Sequence, residues 1–352
     1  PPPGAPDPAA AAGLPATLED PDAFRAAFDA LAPRLDEAAA LLRRSDRRVK
    51  KVLHAGFGES LSEVAIVSTL GVRAYERGGS ASVSFSAVAS SGAEVQVGSS
   101  SRVARRASEL DWEGTAADCA WRTAALLGAR KLPSRRRAVL FDPWVASEVL
   151  ELLAGPMSAE AVQRGRSLLK GRLGRRVASR AVTLEDDPHR PGGLASALYD
   201  DEGVPTRRKT MVENGVLRSY YYDAASAARE GRESNGSASR GGYRGLPGPA
   251  PSNLILRPGR LTREQLLGDT ADGILVLEIM GMHTADPVSG ELSVGLSGVA
   301  VRKGELAHGI KGAMLSTNVL DLFAAVDAAA DDLACYGSLA APTFRAAGLQ
   351  VA

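Results

Sequence analysis

Apolar residues at spacings of three and four open the patterned part of the chain. Phe24, Phe28, Leu31, Leu35, Ala39 and Leu42 form one helical stripe, and Asp20-Pro21 stands ahead of it as an N-cap and a first-turn proline. Pro33 inside the stripe predicts a kink or a split, because its ring removes an amide donor and crowds the preceding turn. The basic run Arg43, Arg44, Arg47 and Arg48 near the end reads as a solvated last turn that suits the helix dipole. The period then changes. Val83, Phe85, Ala87 and Ala89 alternate with Ser82, Ser84, Ser86 and Ser90, Ser91-Gly92 turns the chain, and Glu94-Val95-Gln96-Val97 brings it back. Alternation with one polar face predicts antiparallel sheet covered on one side only. Residues 49–57 and 64–69 predict two earlier strands.

Thr115 with Asp118 three positions on predicts a helix start, with Ala117, Ala120, Trp121, Ala124 and Leu127 as its stripe. Residues 137–141 read as a strand entering a helix at Asp142-Pro143, and that helix, 144–153, is apolar nearly all round and so buried. Asn214-Gly215 between Met211-Val212-Glu213 and Val216-Leu217 is a type I′ hairpin signal. Arg218-Ser219-Tyr220-Tyr221-Tyr222 reads as a strand with one aromatic face in the core. Residues 273–280 form a doubly covered central strand, and a second hairpin turns at Lys303-Gly304. A last helix starts at about Asn318, with Val319, Leu322, Phe323, Val326 and Leu333 on one side. Hairpin-built sheets beside separate helices predict an α+β fold, mostly antiparallel, rather than alternating βαβ units. Pro, Ala and Gly make 1–16 a linker or frayed arm; 17–135 is then an N-terminal α+β domain and 136–352 a hairpin-rich C-terminal domain. The long Gly/Ser/Pro-rich connection 231–253 has the length and composition of a functional or mobile loop.

Composition narrows the function classes. The 352 residues are 45% hydrophobic and 24% charged, enough to bury sizeable cores. A net charge of +1 gives no electrostatic case for nucleic acid or a membrane surface as a partner. Two cysteines, Cys119 and Cys335, are too few for a disulfide framework and suit a reducing compartment. No apolar run reaches the roughly 18 residues of a membrane span. The start, Pro1-Pro2-Pro3-Gly4, carries no signal-peptide pattern and predicts that an upstream segment lies outside this sequence.

Candidate chemistry is sparse. A helical zinc site needs two histidines one turn apart with a glutamate as general base. The closest pair among His54, His189, His283 and His308 is 25 positions apart. His54 reads as a sheet histidine and His189 as solvated. His283, in Gly281-Met282-His283-Thr284, follows the buried strand, where loops line clefts. Cys119 sits on an apolar helical stretch as an inert thiol, and Cys335 follows Asp331-Asp332, a setting that does not activate a nucleophile. There is no Gly-x-Ser-x-Gly elbow and no phosphate loop. Glu185-Asp186-Asp187 and Asp200-Asp201-Glu202 lack the alternate spacing of a calcium loop, and the second reads as a turn into a strand.

One run carries more. Arg164-Gly165-Arg166-Ser167-Leu168-Leu169-Lys170-Gly171, Glu185-Asp186-Asp187-Pro188, Asp200-Asp201-Glu202-Gly203-Val204-Pro205-Thr206 and the Asn214-Gly215 hairpin follow in an order that resembles the TldD/PmbA family, the "modulator of DNA gyrase" peptidases. Asp286-Pro287-Val288-Ser289-Gly290-Glu291-Leu292-Ser293-Val294-Gly295 is similar to a later family segment, and residues 224–240 resemble its helix and Asn-containing loop, of which Asn235-Gly236 keeps part. The chain looks like the PmbA (TldE) branch. In the sister branch a His-Glu-x-x-x-His helix lies ahead of the segment that Ser167 and Gly171 resemble; counting back places its histidines at Leu150 and Gly155 and its glutamate at Glu151. The resemblance implies a PmbA/TldD-like fold and a cytoplasmic subunit with no cofactor of its own. It also implies zinc in a TldD-type partner, or else pairing with a second copy, and unfolded peptides as substrates. Glu151, Ser167, Asp200, Asp201, Glu202, Asn235, His283 and Ser293 are its candidate cleft or motif residues, none of them catalytic. The alternatives are a homodimeric peptide-binding protein without proteolytic activity and an autonomous peptidase using unrelated groups.

Overall fold

The structure, a computed structural model, describes residues 21–69 and 71–352. The predicted arm 1–16, the Asp20 cap and the side chains of Phe24 and Phe28 lie outside the described residues. The chain divides into two compact units, 1–129 and 130–352.

In the first unit, helix α1 (Pro21–Ser45) precedes three strands, β1 (Val49–Val67), β2 (Arg73–Ser91) and β3 (Glu94–Ala104), and helix α2 (Trp112–Ala125) follows. The strands form one antiparallel sheet in the order β1-β2-β3. Val83, Phe85, Ala87 and Ala89 face a core shared with Ala38 and Leu42 of α1 and with Trp112, Ala116, Cys119 and Ala120 of α2. The alternation read from the sequence is therefore the inner face of this sheet. Three expectations change. The helix runs on through Pro33 without splitting, since a single missing amide bond is outweighed where the flanking turns pack. The two predicted early strands are one: Gly58, Glu59 and Ser60 stay paired opposite Ser82, Ala81 and Ser80. Helix α2 starts three residues before Thr115, because Asp111 accepts the Gly114 amide at 2.9 Å and caps it there. Its buried face is turned accordingly; Trp112, Thr115 and Cys119 are inside, while Ala117 is exposed.

The second unit begins with β4 (Arg135–Phe141), α3 (Pro143–Ala154) and α4 (Ala159–Gln163). Short strands β5 (Leu184–Asp186), β6 (Lys209–Glu213) and β7 (Val216–Leu217) lead to α5 (Ala224–Arg229) and to the small pair β8 (Ala238–Ser239) and β9 (Gly248–Pro249). Then come β10 (Leu254–Leu256), α6 (Arg263–Gly268), β11 (Asp272–Met280), β12 (Glu291–Arg302), β13 (Glu305–Asn318), α7 (Val319–Ala324) and β14 (Val326–Ala329). Strands β15 (Ala334–Tyr336), β16 (Leu339–Ala341) and β17 (Phe344–Val351) end the chain.

One six-stranded sheet has the order β13-β12-β11-β4-β17-β14 and curls until β13 also meets β17 at Leu315 and Val351. The other has the order β15-β16-β10-β5-β6-β7. Pairing is antiparallel except for β4 with β11 and β10 with β16. Between the two sheets lies α3, packed on β4 and β11 from one side and on β15 and β16 from the other. Asp142 caps it at the Trp144 amide and Pro143 takes its first turn. Val145, Ala146, Val149, Leu150 and Leu153 are fully buried, while Trp144, Glu148 and Leu152 are half-buried and Glu151 is exposed, so the helix is buried on most of its surface but not all round. The fold is α+β with mostly antiparallel sheets. No described helix is long and apolar enough to cross a membrane.

Strand β11 is central, with Ile274, Leu275, Val276 and Leu277 all buried. Both predicted hairpins form, with Asn214 and Gly215 at φ 48° and 82° and Lys303 and Gly304 at φ 52° and 83°. The last predicted helix is shorter than its stripe: α7 ends at Ala324, and Val326–Ala329 pairs instead with Phe344, Arg345 and Ala346. Leu333 lies beyond it. The tyrosine run is no alternating strand either; Tyr220, Tyr221 and Tyr222 are all buried.

Gly215 couples the hairpin to its surroundings. A Cβ there would come within 2.2 Å of the Ala178 carbonyl oxygen and 2.4 Å of that of Ser179. Gly171, at φ 71°, has open space around it. Gly171→Ala should therefore cost only the left-handed penalty, about 1–2 kcal/mol, and Gly215→Ala distinctly more, read as the difference between their urea midpoints.

Candidate functional site

Two long connections meet beside the second sheet of this unit: the one from β5 to β6, and the one from β7 to β10. The acidic turn of the first is a clasp on the second. Asp200 is buried, and its carboxylate accepts the amides of Glu202 at 3.0 Å, Val204 at 2.9 Å and Ala238 at 3.0 Å. Asp201 accepts the Arg240 amide at 2.6 Å and donates its own amide to the Ala238 carbonyl at 3.0 Å. Glu202 accepts the Ala224 amide at 2.7 Å and so caps α5 beside the Asp223 capping box. These carboxylates hold backbone amides, the opposite of a cation loop. Burial pushes the Asp200 and Glu202 carboxyls above their usual range, with the amide bonds pulling back.

Asn235 fixes the tyrosine run. Its side chain accepts the Tyr222 amide at 2.9 Å and donates to the Tyr220 carbonyl at 2.8 Å. Beside it opens a cavity of about 570 Å³ lined by Arg207, Lys209, Thr210, Ser219, Tyr222, Arg232, Glu233 and Asn235. Lys209 is nearly buried and lies 3.1 Å from the fully buried Asp186 carboxylate. The other Asp186 oxygen accepts the amide and hydroxyl of Ser252 at 2.8 and 2.9 Å. Burial raises Asp186 above its usual range, and Lys209 and Ser252 oppose that. Burial, followed by the hydrogen bond to Glu230, pushes the Tyr222 phenol up to about 12, so it acts as a donor.

Sequence reasoning missed the Asp186–Lys209 pair. Lys209 ends the run Arg207-Arg208-Lys209, which looks solvated throughout. The available signal is period two: Lys209 and Met211 share one buried face of β6, whereas Thr210 is exposed.

A second cleft, of about 560 Å³, is lined by Thr284, Glu291, Leu292, Ser293, Ser316 and Thr317. Ser293 and Ser316 share a hydroxyl hydrogen bond of 2.9 Å across β12 and β13, and Thr284 donates to the Ser293 carbonyl at 3.3 Å. His283 is exposed on the same short turn as Thr284. The structure thus brings Asp200, Asp201, Glu202 and Asn235 into one loop cluster, and His283 and Ser293 to another place. Ser167 is buried in a third loop, donating to the Pro156 carbonyl at 2.6 Å and accepting the Leu169 amide at 3.0 Å. The neighbouring Leu168 amide donates to the Pro287 carbonyl at 2.8 Å, which ties that loop to the turn after His283. Glu151 stands apart, exposed on α3. Among the histidines, His189 bonds Thr206 and His54 bonds Ser84 through Nε2. Cys119 is fully buried, and burial pushes its thiol up to about 11.

Helix α3 does not fit a zinc ion. Leu150 points into the core and Gly155 is the C-cap, so neither position offers a ligand. No group of three or more His, Cys, Asp or Glu side chains among the described residues is arranged to hold a metal.

Residues 134–352 match the PmbA/TldA metallopeptidase C-terminal domain and residues 19–127 the central domain of the same proteins. The chain is 30% identical over 243 residues to the metalloprotease PmbA of Escherichia coli O157:H7, covering 68% of this chain and 51% of that protein. It is similar to a solved Thermotoga maritima protein described as a modulator of a DNA gyrase, at 32% identity and TM-score 0.85 over 92% of this chain and 76% of that one. TldE from Thermococcus kodakarensis shares the fold, with 22% identity and TM-score 0.83 over 90% of this chain and 72% of that one. The chain spans about half the length of the curated relatives it matches.

Removing one partner of a buried pair strands the other charge. Lys209→Met should lower stability by about 3–5 kcal/mol, and the Asp186→Leu/Lys209→Met double variant should recover much of it. The sign with pH is fixed. Asp186 already titrates above its unfolded value, and losing Lys209 raises it further, so the single variant's deficit should be largest in neutral buffer. It should shrink as acid protonates Asp186. Urea unfolding at both conditions measures it.

Proposed function

The chain belongs to the PmbA/TldA metallopeptidase family, and on that premise we propose that it is a PmbA/TldE-like subunit with no zinc site of its own. It pairs with a zinc-bearing TldD-type chain in the cytoplasm and helps enclose a cleft for unstructured peptides. The observation that carries this reading is the state of α3. Where the resemblance places the sister branch's two histidines, this chain has a core leucine and a helix-terminal glycine. Leu150 is worth about 2–5 kcal/mol of packing as a buried leucine, and a ligand at that position would have to leave the core to reach a metal. Glu151 remains exposed beside it, and a carboxylate without a metal does not generate hydroxide at neutral pH in this way.

The rest of the unit supports a binding role. Its two clefts are walled mainly by hydroxyl, amide and charged side chains, with Leu292 and the Tyr222 ring as the apolar parts. Such walls suit the many donors and acceptors of an extended backbone. The pairing tests the reading. Purified chain should hold no stoichiometric zinc by elemental analysis and should not cleave an unstructured peptide. Mixed with a His-Glu-x-x-x-His-bearing sister chain, it should support cleavage that a zinc chelator stops. One tightly held zinc per chain, or cleavage by this chain alone, would overturn it.

A further inference from the structure

The cavity beside Asn235 holds charges that the fold leaves unmatched. Lys209 is matched by Asp186, and Arg232 by Glu230 at 3.3 Å, with the Arg232 guanidinium 5.8 Å from the Tyr222 ring centre. Arg207 meets no carboxylate among the described residues; its hydrogen bond goes to the Ser234 carbonyl at a long 3.4 Å. Glu233, the residue before Ser234, lines the same cavity and meets no cation among the described residues. One free guanidinium and one free carboxylate therefore face a common space of about 570 Å³ without closing on each other. The wall between them is firm: Asn235 is tied to both Tyr220 and Tyr222, and Lys209 is held from behind.

We propose that this cavity binds a short peptide in its zwitterionic form, the terminal carboxylate on Arg207 and the terminal ammonium on Glu233. Arginine suits a carboxylate because its parallel N–H donors match the two oxygens. Glu233 supplies acceptors only, which suits an ammonium and repels a second carboxylate. Ser219 and Thr210 offer hydroxyls to the backbone between the ends, and the Tyr222 ring with Arg232 forms a flat wall for one side chain. The volume falls within the ordinary range for small-molecule sites, about 300–1,000 Å³. A single bulk charge is a poorer ligand, since the free charges on the wall are of both signs. This inference rests on the peptide-binding reading above for the nature of the ligand, and on the two unmatched charges for the site.

Calorimetric titration of the intact chain with a tripeptide tests it, the tripeptide supplied free, C-amidated, N-acetylated and blocked at both ends. A long unstructured peptide blocked at both ends is the parallel arm. Each block should weaken the tripeptide about tenfold, as expected for one charge-assisted bond. Arg207→Ala should abolish the discrimination against the amide alone, and Glu233→Gln that against the acetyl group alone. Both residues are exposed, so the variants should fold; an unchanged thermal midpoint checks this. Equal affinity for all four tripeptides, or discrimination that survives both substitutions, overturns the zwitterion site. If no peptide binds the isolated chain at all, the zwitterion site falls, while the subunit reading is decided separately by cleavage in the mixture with the sister chain.

Discussion

Three amides from two different loops converge on one buried carboxylate, that of Asp200. Hydrogen bonds to a charged group are worth about 1.5–3 kcal/mol each, and here they offset part of the cost of burying the charge, which still holds the Asp200 carboxyl above its usual range. The connections between β5 and β6 and between β7 and β10 would otherwise be long, with little regular structure of their own. Asp201 on Arg240 and Glu202 on Ala224 add two more side-chain holds on backbone between the loops, and Asn235 ties the second loop to its own tyrosine run. The cavity exists because these loops cannot spread.

The same arrangement separates chemistry from scaffold. The acidic residues that look most like a site are consumed in holding amides. The charges left to act outward, Arg207 and Glu233, look like ordinary solvated residues in the sequence. Helix α3 makes the parallel point. Packed between two sheets, it turns Leu150 into the core and ends at Gly155, so the two positions compared with the sister branch's histidines offer no side chain to a metal. Its capped start at Asp142 and its buried leucines serve the core alone.

Much of the fold is legible in the sequence, and what is not has physical reasons. The alternation at Val83–Phe85–Ala87–Ala89, the buried run 274–277 and both left-handed hairpin turns could be read because local geometry alone imposes them. Helix α7 was overextended because Val326 fits a helical stripe and a strand equally well, and pairing with β17 decides it. Read from the sequence, α2 starts at Thr115, whereas Asp111, accepting the Gly114 amide, caps a helix that starts three residues earlier, at Trp112. At the candidate site, the family motifs named Asp200, Asp201, Glu202 and Asn235, but not that their carboxylates and amide point inward. The Asp186–Lys209 pair was hidden because pairing across strands brings together residues 23 positions apart.

A loop site held by side-chain clasps should behave as part of the rigid scaffold, and amide hydrogen exchange of the intact chain tests that most directly. The amides of Glu202, Val204, Tyr222 and Ala238 should exchange as slowly as those of β11 and β12. Asp200→Asn should speed Glu202, Val204 and Ala238 while leaving Tyr222, held by Asn235, nearly unchanged. Fast exchange of all four in the unsubstituted protein, at the rate of an open loop, would contradict a preformed site.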